Sequence, residues 1–301
     1  MNKFIDEYDI RINKYEEINN VKIIDTDEGK FVLKKKIEGD NKLYDYLDNK
    51  QFNYYLEHKT LDDYNMFPYI DEITIPNEEK AIDLVYLLSI LHNKTLYYKN
   101  IVVDDVKKQY EELNKRIDDT NRYYFQMQDM IEQEIDMSPE EYLLIRNVSL
   151  IYSSLTFAKE KLKEWYDYKI EQKKERIVLL HNRPSLSHLL INDKKSLISW
   201  DHYKRDIPIY DFLYFYKKNY EQLEMSSLFD IYNSKFPYTR DEFLLFLVLL
   251  SIPKKVVFTL HHYNNTVEVQ HIINYLDITR DFILKYNKEN KSKDEEKFEE
   301  Q

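Results

Sequence analysis

The stretch HNRPSLSH, residues 181–188, concentrates groups that do chemistry: two imidazoles, His181 and His188, the guanidinium of Arg183, and the hydroxyls of Ser185 and Ser187. Ser199, Asp201 and His202 follow within the same segment. Three kinds of chemistry are open to such a set. The imidazoles can ligate a transition metal with Asp201 as a carboxylate ligand, although their spacing matches no zinc pattern. A histidine can activate a serine, which also needs an orienting acid and oxyanion donors. Otherwise the rings are structural, packed and hydrogen-bonded to backbone. His261, His262 and His271 form a second, later group.

What must position these residues is a strand, a polar loop and a hairpin. Residues 177–180 (IVLL) suit a buried strand, and residues 189–191 and 196–200 read as two strands joined through Asn192, Asp193 and Lys194.

This order resembles the catalytic loop and metal-binding segment of the aminoglycoside phosphotransferase and spore-coat CotS-like families, which share the protein-kinase-like fold. Those families carry HGDxHxxN in the loop and a segment like IDW or IDF after the hairpin. The loop here keeps His181 but has Arg183 where the resemblance implies an aspartate that accepts the substrate proton. It has His188 where an asparagine holds magnesium, and Ser199 where a metal-binding aspartate stands. The motif DPxYDL is matched by DIPIYDF, with Asp206, Pro208, Tyr210 and Asp211. In relatives the last aspartate holds the catalytic loop from beneath, a role the resemblance carries to Asp211. The specific matches lie within residues 177–215, whereas the order of elements agrees from about Val21 to Tyr286.

The resemblance implies an α+β, protein-kinase-like fold. An N-terminal lobe, residues 1–70, is expected to hold an antiparallel sheet and one helix; residues 71–286 form a mostly helical C-terminal lobe. Within VKIIDTDEGKFVLKKKI, Asp27, Glu28 and Gly29 supply turn chemistry between two strands. By register on FVLK, Lys34 is the lysine that pairs with nucleotide phosphates in the family; a solvated edge lysine is the alternative. Residues 41–50 stand for the control helix, with Asp45 either paired to that lysine or facing solvent. A strand from Tyr64 runs into Pro68, and the backbone near Phe67 and Tyr69 meets adenine in active relatives. Ordinary strand and linker contacts are the alternative there.

Helical spacing of Ala81, Leu84, Val85, Leu88 and Leu91 predicts a helix that Asn77 can cap. Ser138 with Glu141, and Thr239 with Glu242, read as capping boxes. The run FLLFLVLLSI is too short to span a bilayer and reads as a buried helix stopped by Pro253. A helix is expected over 211–224 and another over 266–286. The charged residues 287–301 read as a disordered tail.

Composition narrows the function. At 43% hydrophobic residues the chain can bury a sizeable core, and a net charge of −11 argues against a nucleic-acid surface. The absence of cysteine excludes thiol chemistry and disulfides. Only two glycines, Gly29 and Gly39, are present, which disfavours every glycine-rich phosphate loop. The N-terminal residues lack the apolar core of a signal peptide, so a cytoplasmic protein is expected, with a spore-coat association if the CotS-like resemblance holds. The expected function is a catalytically impaired phosphotransferase relative, a pseudokinase that serves as a binding or scaffold module for protein partners without a cofactor. An inter-lobe cleft able to take a small molecule belongs to this expectation. The alternatives are an active ATP- and magnesium-dependent small-molecule kinase using Lys34 and Asp201, and a nucleotide-binding regulatory protein.

Overall fold

The computed structural model describes residues 12–18, 21–36, 40–61 and 63–299. Gly39 and residues 1–11, most of the N-terminal segment read for a signal peptide, lie outside these residues. Strands β1 (Ile12–Ile18), β2 (Val21–Thr26), β3 (Gly29–Lys35), β4 (Lys59–Thr60) and β5 (Tyr64–Pro68) pair antiparallel in the order β1-β2-β3-β5-β4. The β2–β3 hairpin turns where expected. Gly29 adopts φ +121°, which a side chain would strain, and the Thr26 hydroxyl accepts the Glu28 N–H at 3.2 Å. Alternation puts Ile24, Leu33 and Met66 into a small core with Leu61. The same register sets Lys34 opposite Asn65 and Leu33 opposite Met66.

Helix α1 (Asp40–Asn49) belongs to the other core. Leu43 and Leu47, one turn apart, are buried with Phe52 in the large cluster of the helical part. Helix α2 (Asn77–Thr95) buries all five residues that the spacing picks out, and His92 with them. Pro76, rather than Asn77, holds its cap position. Helices α3 (Val103–Glu132) and α4 (Pro139–Lys169) follow; the Glu141 carboxylate accepts the Ser138 N–H at 2.7 Å in the expected capping box.

Strands β6 (Tyr97–Asn100), β7 (Lys174–Leu180) and β10 (Lys204–Asp206) form a three-stranded sheet in the order β10-β7-β6. Only β7 is evident in the sequence. Strands β8 (Leu189–Ile191) and β9 (Lys195–Leu197) make the hairpin. Its second strand ends at Leu197 rather than at 200, because Ser199 is left-handed (φ 63°) and residues Trp200–His202 close a 3-10 turn.

The helix expected over 211–224 is α5 (Ile209–Asn219), which ends five residues short of that span; a further helix, α6 (Met225–Lys235), begins just beyond it. Glu224 separates them by capping α6, accepting the N–H groups of Ser226 at 3.1 Å and Ser227 at 2.6 Å. Helix α7 (Arg240–Ser251), with its capping box at Thr239, is the buried core helix. Its last carbonyls are met by side chains: Lys217 donates to Leu249 at 2.7 Å, Tyr275 to Leu250 at 2.6 Å and Ser154 to Ser251 at 2.8 Å. Helix α8 (His262–Glu299) begins four residues before the expected Thr266 and is assigned through most of the segment read as a tail. The Lys and Glu that fill that segment are good helix formers. Among the described residues no helix is long and apolar enough to cross a membrane.

Candidate functional site

The loop after β7 is fixed from below. Asp211, in the first turn of α5, is fully buried; its Oδ2 accepts the backbone N–H of His181 at 2.9 Å and its Oδ1 that of Asn182 at 2.6 Å. Two backbone donors on one carboxylate satisfy a charge that burial alone would penalise. They also hold Asn182 in the left-handed conformation (φ 69°), which Asn tolerates. A third partner is His92 of α2, whose Nε2 lies 3.1 Å from Asp211 Oδ2 and whose Nδ1 lies 2.6 Å from the Tyr232 hydroxyl. Sequence reasoning missed His92. The one available signal is a histidine on the apolar face of α2, one turn after Leu88.

Both loop histidines are tied to carbonyls, which sets their tautomers. His181 donates Nε2–H to Ile198 O at 2.8 Å, and His188 donates Nδ1–H to Arg183 O at 2.9 Å. Burial depresses the pKa of His181, and burial followed by the neighbouring His181 depresses that of His188. The ring of His181 packs against Trp200 at 5.0 Å and His188 at 5.5 Å between centroids. Arg183 is exposed, and its guanidinium has no hydrogen bond or ion pair with a described residue.

Above the hairpin lies a cleft of about 590 Å³. Lys34 and Val32 line it from the sheet, Phe67 and Tyr69 from the segment leaving β5, and Ser199 and Asp201 from the turn after β9. Lys34 and Asp201 form an ion pair, each side chain about one-third exposed. The lysine's acid is therefore Asp201; Asp45 faces solvent. Asp201 reaches the cleft through the 3-10 turn rather than along a strand face. The structure thus brings together Lys34, Phe67, Tyr69, Ser199 and Asp201, while His181, Arg183 and His188 are not in the lining.

The histidines do not converge on a metal. Among the described residues no group of three or more His, Cys, Asp or Glu side chains is placed to hold one, and His202 is exposed. In the later group, His262 pairs with Glu140 at 2.7 Å and His271 with Glu221 at 2.8 Å. Magnesium takes hard oxygen ligands, and three carboxylates line the cleft: Asp201, paired to Lys34, Glu72, paired to Lys80, and Asp71.

The backbone arrangement is similar to that of an aminoglycoside phosphotransferase from Alicyclobacillus acidocaldarius subsp. acidocaldarius DSM 446. The TM-score is 0.69 at 12% identity, covering 95% of this chain and 94% of that one. The fold is that of the kinase-like phosphotransferases. A spectinomycin phosphotransferase in its AMP-bound complex gives 0.53 at 12% identity over 92% and 96% of the two chains. A glucosamine kinase gives 0.51 at 10% identity over 93% and 78%. No protein-family model matches the sequence, and no curated protein matches it.

Proposed function

We propose that this chain is a pseudokinase: a phosphotransferase-fold protein whose cleft takes a flat small molecule without transferring phosphate, and whose output is contact with a protein partner. One observation carries this reading. The carboxylate nearest the cleft lysine, Asp201, is paired to Lys34, while the loop beneath presents the cation Arg183 and the carbonyl-bound imidazole of His188. Phosphoryl transfer rests on positioning the acceptor and neutralising charge with metal ions held on carboxylates and amides. Arg183 reverses the charge that would accept a hydroxyl proton, and Ser199 supplies no anionic oxygen. A place in the spore coat follows from the CotS-like resemblance and belongs to this proposal.

A second reading, an active small-molecule kinase, is favoured by Asp201 and Ser199 lining the cleft beside Lys34. In that case Asp201 leaves the lysine and faces the phosphates. A thermal-shift titration with ATP, with and without magnesium or manganese, combined with a phosphate-release assay, separates the two. The pseudokinase shows no metal-dependent turnover above a heat-treated control. Turnover that disappears in Asp201→Ala establishes the kinase instead.

A further inference from the structure

A second cavity, of about 600 Å³, lies between α3 and the connection from α7 to α8 and shares no lining residue with the cleft. Four cations line it. Lys115 and Arg116 come from α3, and Lys254 and Lys255 follow Pro253 in the connection. The two walls are held together by hydroxyls: Tyr124 donates to Lys254 O at 2.5 Å, and Tyr123 donates to Val256 O.

The acids at this cavity are engaged outside it, whereas part of its cationic charge is not. Glu112 faces Lys108 at 4.0 Å and Asp119 faces Arg122 at 3.5 Å. Lys254 meets Glu268 at 3.0 Å, and the ammonium of Lys255 sits 5.2 Å from the centre of the Tyr123 ring. The side chains of Lys115 and Arg116 have no hydrogen bond or ion pair with any described residue. In a chain of net charge −11, Lys115 and Arg116 stand side by side in the cavity wall without acid partners of their own, a local excess of positive charge.

A further cation acts on the same arginine. Lys217 of α5 donates to Leu249 O and has no carboxylate partner among the described residues. Burial, with the charge of Arg116 added, pushes its ammonium down to about 8. Like charges therefore accumulate around Arg116, and an anion seated beside it relieves them.

We infer that this cavity binds a phosphate or phosphate ester, gripped by Arg116 and Lys115 with Lys255 on the facing wall. The planar guanidinium donates in a fork that matches two phosphate oxygens, and the ammoniums supply point charge. Thr120 lines the same cavity but spends its hydroxyl on the Arg116 carbonyl at 2.8 Å, so the charged groups carry the recognition.

The test is a thermal-shift titration of the full chain with inorganic phosphate at constant ionic strength, using chloride as the balancing anion. A saturable rise in melting temperature is expected, because a ligand of the folded state raises its apparent stability. Arg116→Ala, an exposed position, should weaken phosphate roughly tenfold or more, and Lys115→Ala should weaken it in the same direction. Lys34→Ala in the cleft should leave phosphate affinity unchanged. Glycerol 3-phosphate binding more tightly than phosphate supports an ester as the ligand, and the reverse order supports the free ion. A rise that chloride reproduces, that survives Arg116→Ala, or that vanishes only in Lys34→Ala overturns the inference.

Discussion

The buried carboxylate of Asp211 accepts the backbone N–H of His181 at 2.9 Å across thirty residues of sequence. With Asn182 N–H and His92 Nε2 as further partners, it ties the loop, α2 and α5 at one point.

Asp211→Ala should therefore cost about 3–5 kcal/mol, because two loop N–H groups and a buried histidine lose their acceptor. Asp211→Asn, which keeps the shape, should cost less. Equilibrium denaturation measures both. A melting curve unchanged in the alanine variant would remove the anchoring role.

Lys34 and Asp201 predict opposite effects in the cleft. Each is about one-third exposed, so the pair contributes about 1 kcal/mol or less to stability. Asp201→Asn should free the ammonium and tighten binding of an anionic cleft ligand; Lys34→Met should weaken it. Calorimetric titration of both variants with ADP checks the sign, and a matching change in both variants would contradict it.

Acid should destabilise the protein through the loop. His181 and His188 are held below the usual histidine pKa by burial. The unfolded chain therefore takes up protons near pH 6.5 that the folded chain refuses, and stability falls as pH drops through that range and below. Urea denaturation at steps from pH 7.5 to 5 should show the decline. His181→Gln should make it shallower, and an equal slope in the variant would assign the effect to other groups.

Lys217 gives the complementary alkaline effect. Its ammonium titrates at about 8 when folded and near 10.4 when unfolded, so the unfolded state binds more protons between those values. Stability due to this group should rise with pH across that window. The stability of wild type relative to Lys217→Met, a comparison that cancels other titrations, should rise as pH goes from 8 to 10. A pH-independent difference would leave Lys217 with packing alone.

What the sequence displays best here is local. Ser138 with Glu141 and Thr239 with Glu242 announce helix starts because the bonds they make span three residues. Lys34, Phe67, Tyr69 and Asp201 could be singled out as candidates, and they share one cleft. Partners set by tertiary packing were not legible. Asp201 lies 167 residues from Lys34, and nothing near His92 signals Tyr232 or Asp211. Strand β10 is three residues long and charged, and its pairing with β7 depends on where the hairpin ends. That end is set by the left-handed Ser199, a conformation that no neighbouring glycine advertises.

The β8–β9 hairpin is bonded on both flanks. Leu197 N–H donates to Tyr54 O at 2.7 Å, and Ile73 N–H donates to Ile191 O at 2.9 Å. These two segments lead into and out of the strands above the cleft, so they form a pair of hinges on a common pin. Their two amides form a natural gauge of opening in hydrogen exchange. Exchange at Leu197 alone signals a tilt about the Ile73 side, exchange at Ile73 alone the opposite tilt, and loss of both together a full separation of the sheet from the helical body.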